Sequence, residues 1–196
     1  MSSHHFVKEG QEPALLIIDR ITFTSIEPLL EWAPLVMVEE SLLDNVLGWG
    51  IKIDVALVRP ESIELTRQKL LLQAPVKILS HHAGDDPIRT ALYFLISLKQ
   101  SSVNITGSWT PELVALAEDF LPRISISLID NNLKWSGRLS GSFEKWLPAG
   151  TEFHVRSQHR PVVIEGVRET GSAFQTTSDG VVKLRFDGPF WVGETL

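Results

Sequence analysis

Cysteine is absent from all 196 residues, which removes disulfides, thiolate nucleophiles and zinc sites built on cysteine. No apolar run approaches the roughly 20 residues needed to cross a bilayer as a helix. Lysine and arginine form no block, and the net charge of -6 is spread over mixed signs, so composition gives nucleic-acid binding no support. Neither G-x-G-x-x-G nor G-x-x-x-x-G-K-[ST] occurs, which excludes a dinucleotide fingerprint and a P-loop. No nucleophile elbow is present for a Ser-His-Asp hydrolase. The first residues, MSSHHFVKEGQEP, lack the charged-then-apolar order of a signal peptide. The expectation is a cytoplasmic protein with neither membrane nor nucleic acid as a partner.

What is present centres on Leu35 to Ser62, LVMVEESLLDNVLGWGIKIDVALVRPES. An apolar run ends on Glu39 and Glu40; Ser41 then reads as an N-cap, with Leu42, Leu43, Val46 and Leu47 on one helical face. Gly50 supplies a left-handed stop and IDVALV a second buried strand. This is a β-α-β unit, the connection that parallel strands require. Around it, Ala14 to Ile18 reads as a strand, Ile26 to Trp32 as a short helix, Ile63 to Gln73 as a helix and Val76 to Leu79 as a strand. Asp86-Pro87 and Thr110-Pro111 are cap-plus-proline helix starts, and strands at Val103 to Thr106 and Ile124 to Ile129 complete the set.

Alternating strands and helices predict an α/β fold with a doubly wound, mainly parallel sheet over residues 1–125. In such sheets ligands sit beyond the carboxyl ends of the strands. The loops there collect Glu40, Glu61, His81, His82, Asp85 and Asp86. Adjacent histidines in one loop rarely point at one ion, Glu39 reads as a solvated acid, and Asp86 has a sufficient role as a helix cap. After Asn131-Asn132 the helical period stops. LKWSG, EFHVR, PVVIEGV, AFQTT, VVKLRF and PFWVGE, separated by Gly, Pro and Asp turns, predict an antiparallel β-sandwich over 126–196.

The layout and several motifs resemble the thiamin pyrophosphokinase family. That family carries D-G-G-A, a short helix, then G-I-x-P-D-x-x-I-G-D-F-D-S. Here ESLL, a short helix and GIKIDVALVRPES run alongside without a gap, with Gly50, Ile51, Asp54 and Ser62 matching. Glu40 and Glu61 stand at two of the family's Asp positions; Arg59 replaces a third Asp and Val58 a Gly. HAGDDPIRTALYFL resembles the K-D-x-T-D loop and helix, with Asp86 in the last Asp role after a one-residue shift. Gly107 matches the end of the next strand, but Glu112, Val114 and Ala115 occupy the Arg, Asp and His of R-x-D-H. Thr177-Ser178-Asp179 resembles T-S-N, and Trp146 in KWLPAG loosely resembles a segment whose Trp stacks on the thiamin ring.

The resemblance implies transfer of diphosphate from ATP to thiamin, with Glu40, Glu61 and Asp86 as catalytic residues and Glu61 and Asp86 on Mg²⁺. It further implies Ser62 and Gly107 at the nucleotide, Trp146, Thr177 and Ser178 at the substrate, and a homodimer. Such transfer rests on positioning and charge neutralisation. Mg²⁺ demands a tight octahedral shell, and each Glu-for-Asp exchange lengthens the carboxylate by one methylene. The lost arginine removes a fork suited to phosphate. Turnover is therefore expected to be weak. The alternatives are a non-catalytic thiamin- or nucleotide-binding protein, or a phosphotransferase of different substrate. Most of the six tryptophans, Trp146 included, read by default as core or interface filling.

Overall fold

A computed structural model describes residues 12–82, 84–130, 132–159, 161–171 and 173–196. Its contacts divide the chain into two units, meeting in sequence between Ser108 and Trp109. The division falls earlier than 125/126 because the helix after Ser108 packs within the second unit: Glu118 accepts the Trp191 indole N–H, and Leu121 lies against Gly137.

In the first unit the elements are β1 (Ala14–Ile17), α1 (Phe23–Ile26), β2 (Val36–Glu39), α2 (Leu43–Gly48), β3 (Val55–Val58), α3 (Ile63–Lys69), β4 (Lys77–Ser80), α4 (Pro87–Ser97) and β5 (Ser102–Thr106). The five strands are parallel, in the order β5-β1-β2-β3-β4. Every residue of β1 and β3 is buried, as continuous apolar runs covered on both faces require. On one face Leu15, Ile17, Val36, Val38, Ala56 and Val58 share a core with Ile26, Leu43, Val46 and Leu70 from the helices and their ends. Helix α4 turns Ala91, Leu92 and Leu95 inward.

Local chemistry accounts for most starts and stops. Asp86 Oδ1 accepts the Ile88 N–H at 2.8 Å and Thr110 Oγ1 the Leu113 N–H at 3.2 Å, so both expected caps form. Gly50 takes the expected left-handed conformation, φ 72°. Three expectations shift. The first helix opens at Phe23 and gives way to a 3₁₀ turn, Glu27–Leu29, where Pro28 withholds an N–H. Ser41 is not an N-cap: it sits inside a 3₁₀ turn, Glu40–Leu42, and Glu39 caps that turn by accepting the Ser41 N–H at 2.9 Å. Helix α3 stops at Lys69 rather than Gln73, whose side chain instead accepts from Ile53 N–H at 3.0 Å and donates to the Ile51 carbonyl at 3.2 Å.

The second unit holds α5 (Pro111–Phe120), β6 (Ser125–Asp130), β7 (Leu133–Arg138), β8 (Gly141–Leu147), β9 (Glu152–Ser157), β10 (Pro161–Glu165), β11 (Val167–Thr170), β12 (Ala173–Thr176), β13 (Gly180–Phe186) and β14 (Phe190–Thr195). One antiparallel set runs β11-β12-β9-β14-β7-β6 and a second β10-β13-β8. Phe143, Leu147, Val182, Leu184 and Phe186 from the smaller set share one core with Phe153, Phe190 and Val192 from the larger. The segment PVVIEGV is two strands, broken at Gly166 with φ 80°. Strand β8 escaped the sequence reading because Lys145 interrupts its apolar alternation; its ammonium pairs with Glu194. No helix of the described residues is long and apolar enough to cross a membrane.

Candidate functional site

Parallel strands put all their carboxyl ends on one rim, and the order β5-β1-β2-β3-β4 reverses direction between β1 and β5. Such a switch point is where open α/β sheets bind ligands. It is occupied here by Asp19, just past β1, and by Gly107-Ser108, just past β5. Asp19 accepts the Arg20 N–H at 2.7 Å, and the Ser108 N–H and hydroxyl at 3.3 and 3.1 Å. Burial pushes its pKa up, but those donors and the Arg20 charge outweigh burial and hold it below the usual range. Sequence reading missed Asp19, although an acid directly after a buried strand, LLIID, was the available signal.

Glu40 follows β2 and is nearly enclosed, its side chain 11% exposed. One oxygen accepts the Arg59 backbone N–H at 2.8 Å; the other receives the guanidinium through Nε and Nη2, each at 2.6 Å. Desolvation raises its pKa, but the Arg59 backbone and side-chain bonds, a Ser62 hydroxyl bond and the Arg59 charge together leave it lowered. Arg59 itself is held protonated, its pKa raised first by the Glu40 hydrogen bond and then by its charge. The same guanidinium lies 3.8 Å from Glu61, whose side chain is 68% exposed. Two expected acids are thus brought together, with an arginine between them.

The third, Asp86, spends one oxygen on the α4 cap. Nearby, Asp85 accepts the His82 N–H at 3.3 Å. His81 is buried at the end of β4, with both ring nitrogens lacking a hydrogen-bond partner among the described residues. Among the described residues no three His, Cys, Asp or Glu side chains gather to hold a metal. The donor set does not fit Mg²⁺ at Glu61 and Asp86. One acid already faces an arginine, the other is turned to a helix end, and Glu40 is neutralised by a cation that would repel a second.

In the second unit, the segments around Trp146 and Thr177 are tied together. Trp146 on β8 pairs across to Val181 on β13, and Asp179 Oδ1 accepts the Ala149 N–H at 2.7 Å, locking the TSD turn onto the PAG turn. Thr177 donates its backbone N–H to the Gly166 carbonyl at 3.1 Å, and its hydroxyl reaches the same oxygen at 3.3 Å. Ser178 is exposed in that turn. Trp146 does not fill the core, as its default reading held: β8 turns Phe143 and Leu147 inward, and Trp146 faces out with 60% of its surface exposed.

A tryptophan cluster on the opposite face of the larger sheet was also missed. Trp135 pairs with Gly193 and Trp191 with Gly137, so each indole covers the glycine across from it. Trp109 lies 4.8 Å from Trp135 and 5.6 Å from Trp191 between ring centres. The signal was W-x-G, written twice, at 135–137 and 191–193.

No protein-family profile and no curated protein sequence matches the chain. Solved structures do. Thiamin pyrophosphokinase from Geobacillus thermodenitrificans superposes with a TM-score of 0.69 at 11% identity, covering 93% of this chain and 97% of that one. The enzyme from Candida albicans gives 0.68 at 7% identity, covering 93% and 88%. That from Bacillus subtilis gives 0.64 at 15% identity, covering 93% and 98%. This chain therefore has the thiamin pyrophosphokinase fold.

Proposed function

We propose that this chain is a thiamin pyrophosphokinase-like binding protein, which takes a small molecule of the thiamin or nucleotide class without appreciable Mg²⁺-dependent diphosphate transfer. One observation carries the reading: both oxygens of Glu40 are engaged by Arg59, which also faces Glu61. Phosphoryl chemistry relies on a metal to neutralise developing charge, and here the neighbouring carboxylates already have a resident cation. Loss of the arginine, aspartate and histidine positions to Glu112, Val114 and Ala115 supports the same view. The fold reading that goes with it is a doubly wound α/β layer followed by a β-sandwich, in a cytoplasmic homodimer.

The test is incubation of the purified chain with thiamin, ATP and Mg²⁺, following thiamin diphosphate and AMP by chromatography, beside calorimetric titration with each ligand. The expected outcome is saturable binding of thiamin or ATP with no more than trace product. Rapid Mg²⁺-dependent product formation, lost in Glu61→Ala, would refute the proposal.

A further inference from the structure

We propose that a cavity of about 250 Å³ in the second unit binds a small planar aromatic carboxylate, with Arg156 as its anion receptor. The walls define the ligand. Pro111, Val114 and Ala115 project from one side of α5, at the helical spacing that puts three and four residues apart on one face. Trp109 and Trp191 supply aromatic surface to the same cavity, set nearly perpendicular to each other at 87°. The cavity is somewhat smaller than the 300–1,000 Å³ of pockets that enclose drug-sized molecules, so it suits one ring or two fused rings.

Arg156 supplies the polar end. Its guanidinium lies over Trp109 at 4.5 Å and over Trp135 at 4.4 Å, held by contact with ring faces. That contact consumes no N–H. Among the described residues the guanidinium makes no hydrogen bond or ion pair, so its donors remain unspent at the cavity wall. A planar fork pre-set in this way matches a carboxylate in bidentate geometry. Glu118, the acid lining the cavity, has one oxygen committed to the Trp191 indole N–H at 2.9 Å and fixes that ring. All the lining residues belong to the second unit, and Val114 and Ala115 among them are two of the positions at which the family's Asp and His are replaced.

The test uses naphthoate and its neutral counterpart naphthamide, titrated calorimetrically into the full chain. Naphthoate is expected to bind saturably, about tenfold or more tightly than naphthamide, as a hydrogen-bonded charge confers. Arg156→Gln, at an exposed side chain, should bring the two affinities within about twofold while leaving the circular dichroism spectrum unchanged. Ala115→Trp should fill the cavity and abolish both. Equal affinities in the wild type, no saturable naphthoate binding at millimolar concentration, or an unchanged preference in Arg156→Gln would each overturn the assignment. Displacement of naphthoate by thiamin would also overturn it, by giving the cavity to a cation.

Discussion

Replacing Gly193 by alanine should loosen the tryptophan cluster. The added Cβ would lie 2.8 Å from both Cε3 and Cζ3 of Trp135 and 3.0 Å from Cδ2, well inside van der Waals contact. The backbone at Gly193 is not left-handed, so steric conflict with the ring is the dominant penalty. The indole has little room to withdraw, being 2% exposed, with Trp109 at 4.8 Å and Arg156 stacked at 4.4 Å. Overpacking of this kind costs about 1–3 kcal/mol. Alanine restricts the unfolded chain and returns about 0.4–1 kcal/mol, so the middle of the two ranges leaves a net loss of about 1.3 kcal/mol. For a chain of this size that lowers Tm by about 3–5 °C. Thermal melts followed by near-ultraviolet circular dichroism would read both the midpoint and the tryptophan packing. Gly48→Ala is the matched control: Gly48 ends a helix with nothing within 4 Å of a new Cβ, so alanine there should be neutral or stabilising by up to about 1 kcal/mol. If Gly193→Ala melts with the wild type while Gly48→Ala behaves as expected, the cross-strand cradle has been misjudged.

Asp86→Ala should destabilise by about 0.5–2 kcal/mol through loss of the α4 cap, whereas Asp86→Asn should stay within a few tenths, since asparagine caps equally well; equal losses by chemical denaturation would point to a charge role. Asp19 and Glu40 both have depressed pKa values, so their stabilisation is present above the unfolded carboxylate range near pH 4 and is lost as pH falls through the folded values. Glu40→Gln should therefore lower stability at neutral pH and flatten the acid side of the profile, and an unchanged slope would contradict the assignment. Trp146→Ala should change stability by no more than about 0.5 kcal/mol, because the indole faces solvent; a drop in thiamin affinity in the same variant would place that ring at the ligand.

The first unit, and helix α5 of the second, were largely legible because their signals are local. Continuous apolar runs gave the strands, and Asp86-Pro87 and Thr110-Pro111 fixed two helix starts through side chains that reach only two or three residues onward. What escaped depends on distant partners. Arg59 could be read as replacing an acid, but its grip on Glu40 spans 19 positions and needs β2 and β3 side by side. Asp19 gains its meaning from Ser108, 89 positions away. Trp135 and Trp191 carry a W-x-G pattern that the outward-facing Trp146 lacks, but only the register of β7 against β14 sets each of the first two over a glycine. Strand β8 was lost because Lys145, an exposed side chain paired with Glu194, stands between Phe143 and Leu147 and breaks the alternation that marks a strand.

On the proposed reading, Arg59 takes the charge position that a metal would need at the strand-end rim. Calorimetric titration of Mg²⁺ into the nucleotide-free wild type and Arg59→Asp tests this most directly. The wild-type protein should show no saturable Mg²⁺ binding, and Arg59→Asp a new, saturable site, where the cation gives way to a third carboxylate beside Glu40 and Glu61. Saturable binding in the wild type that Glu40→Gln abolishes would contradict it.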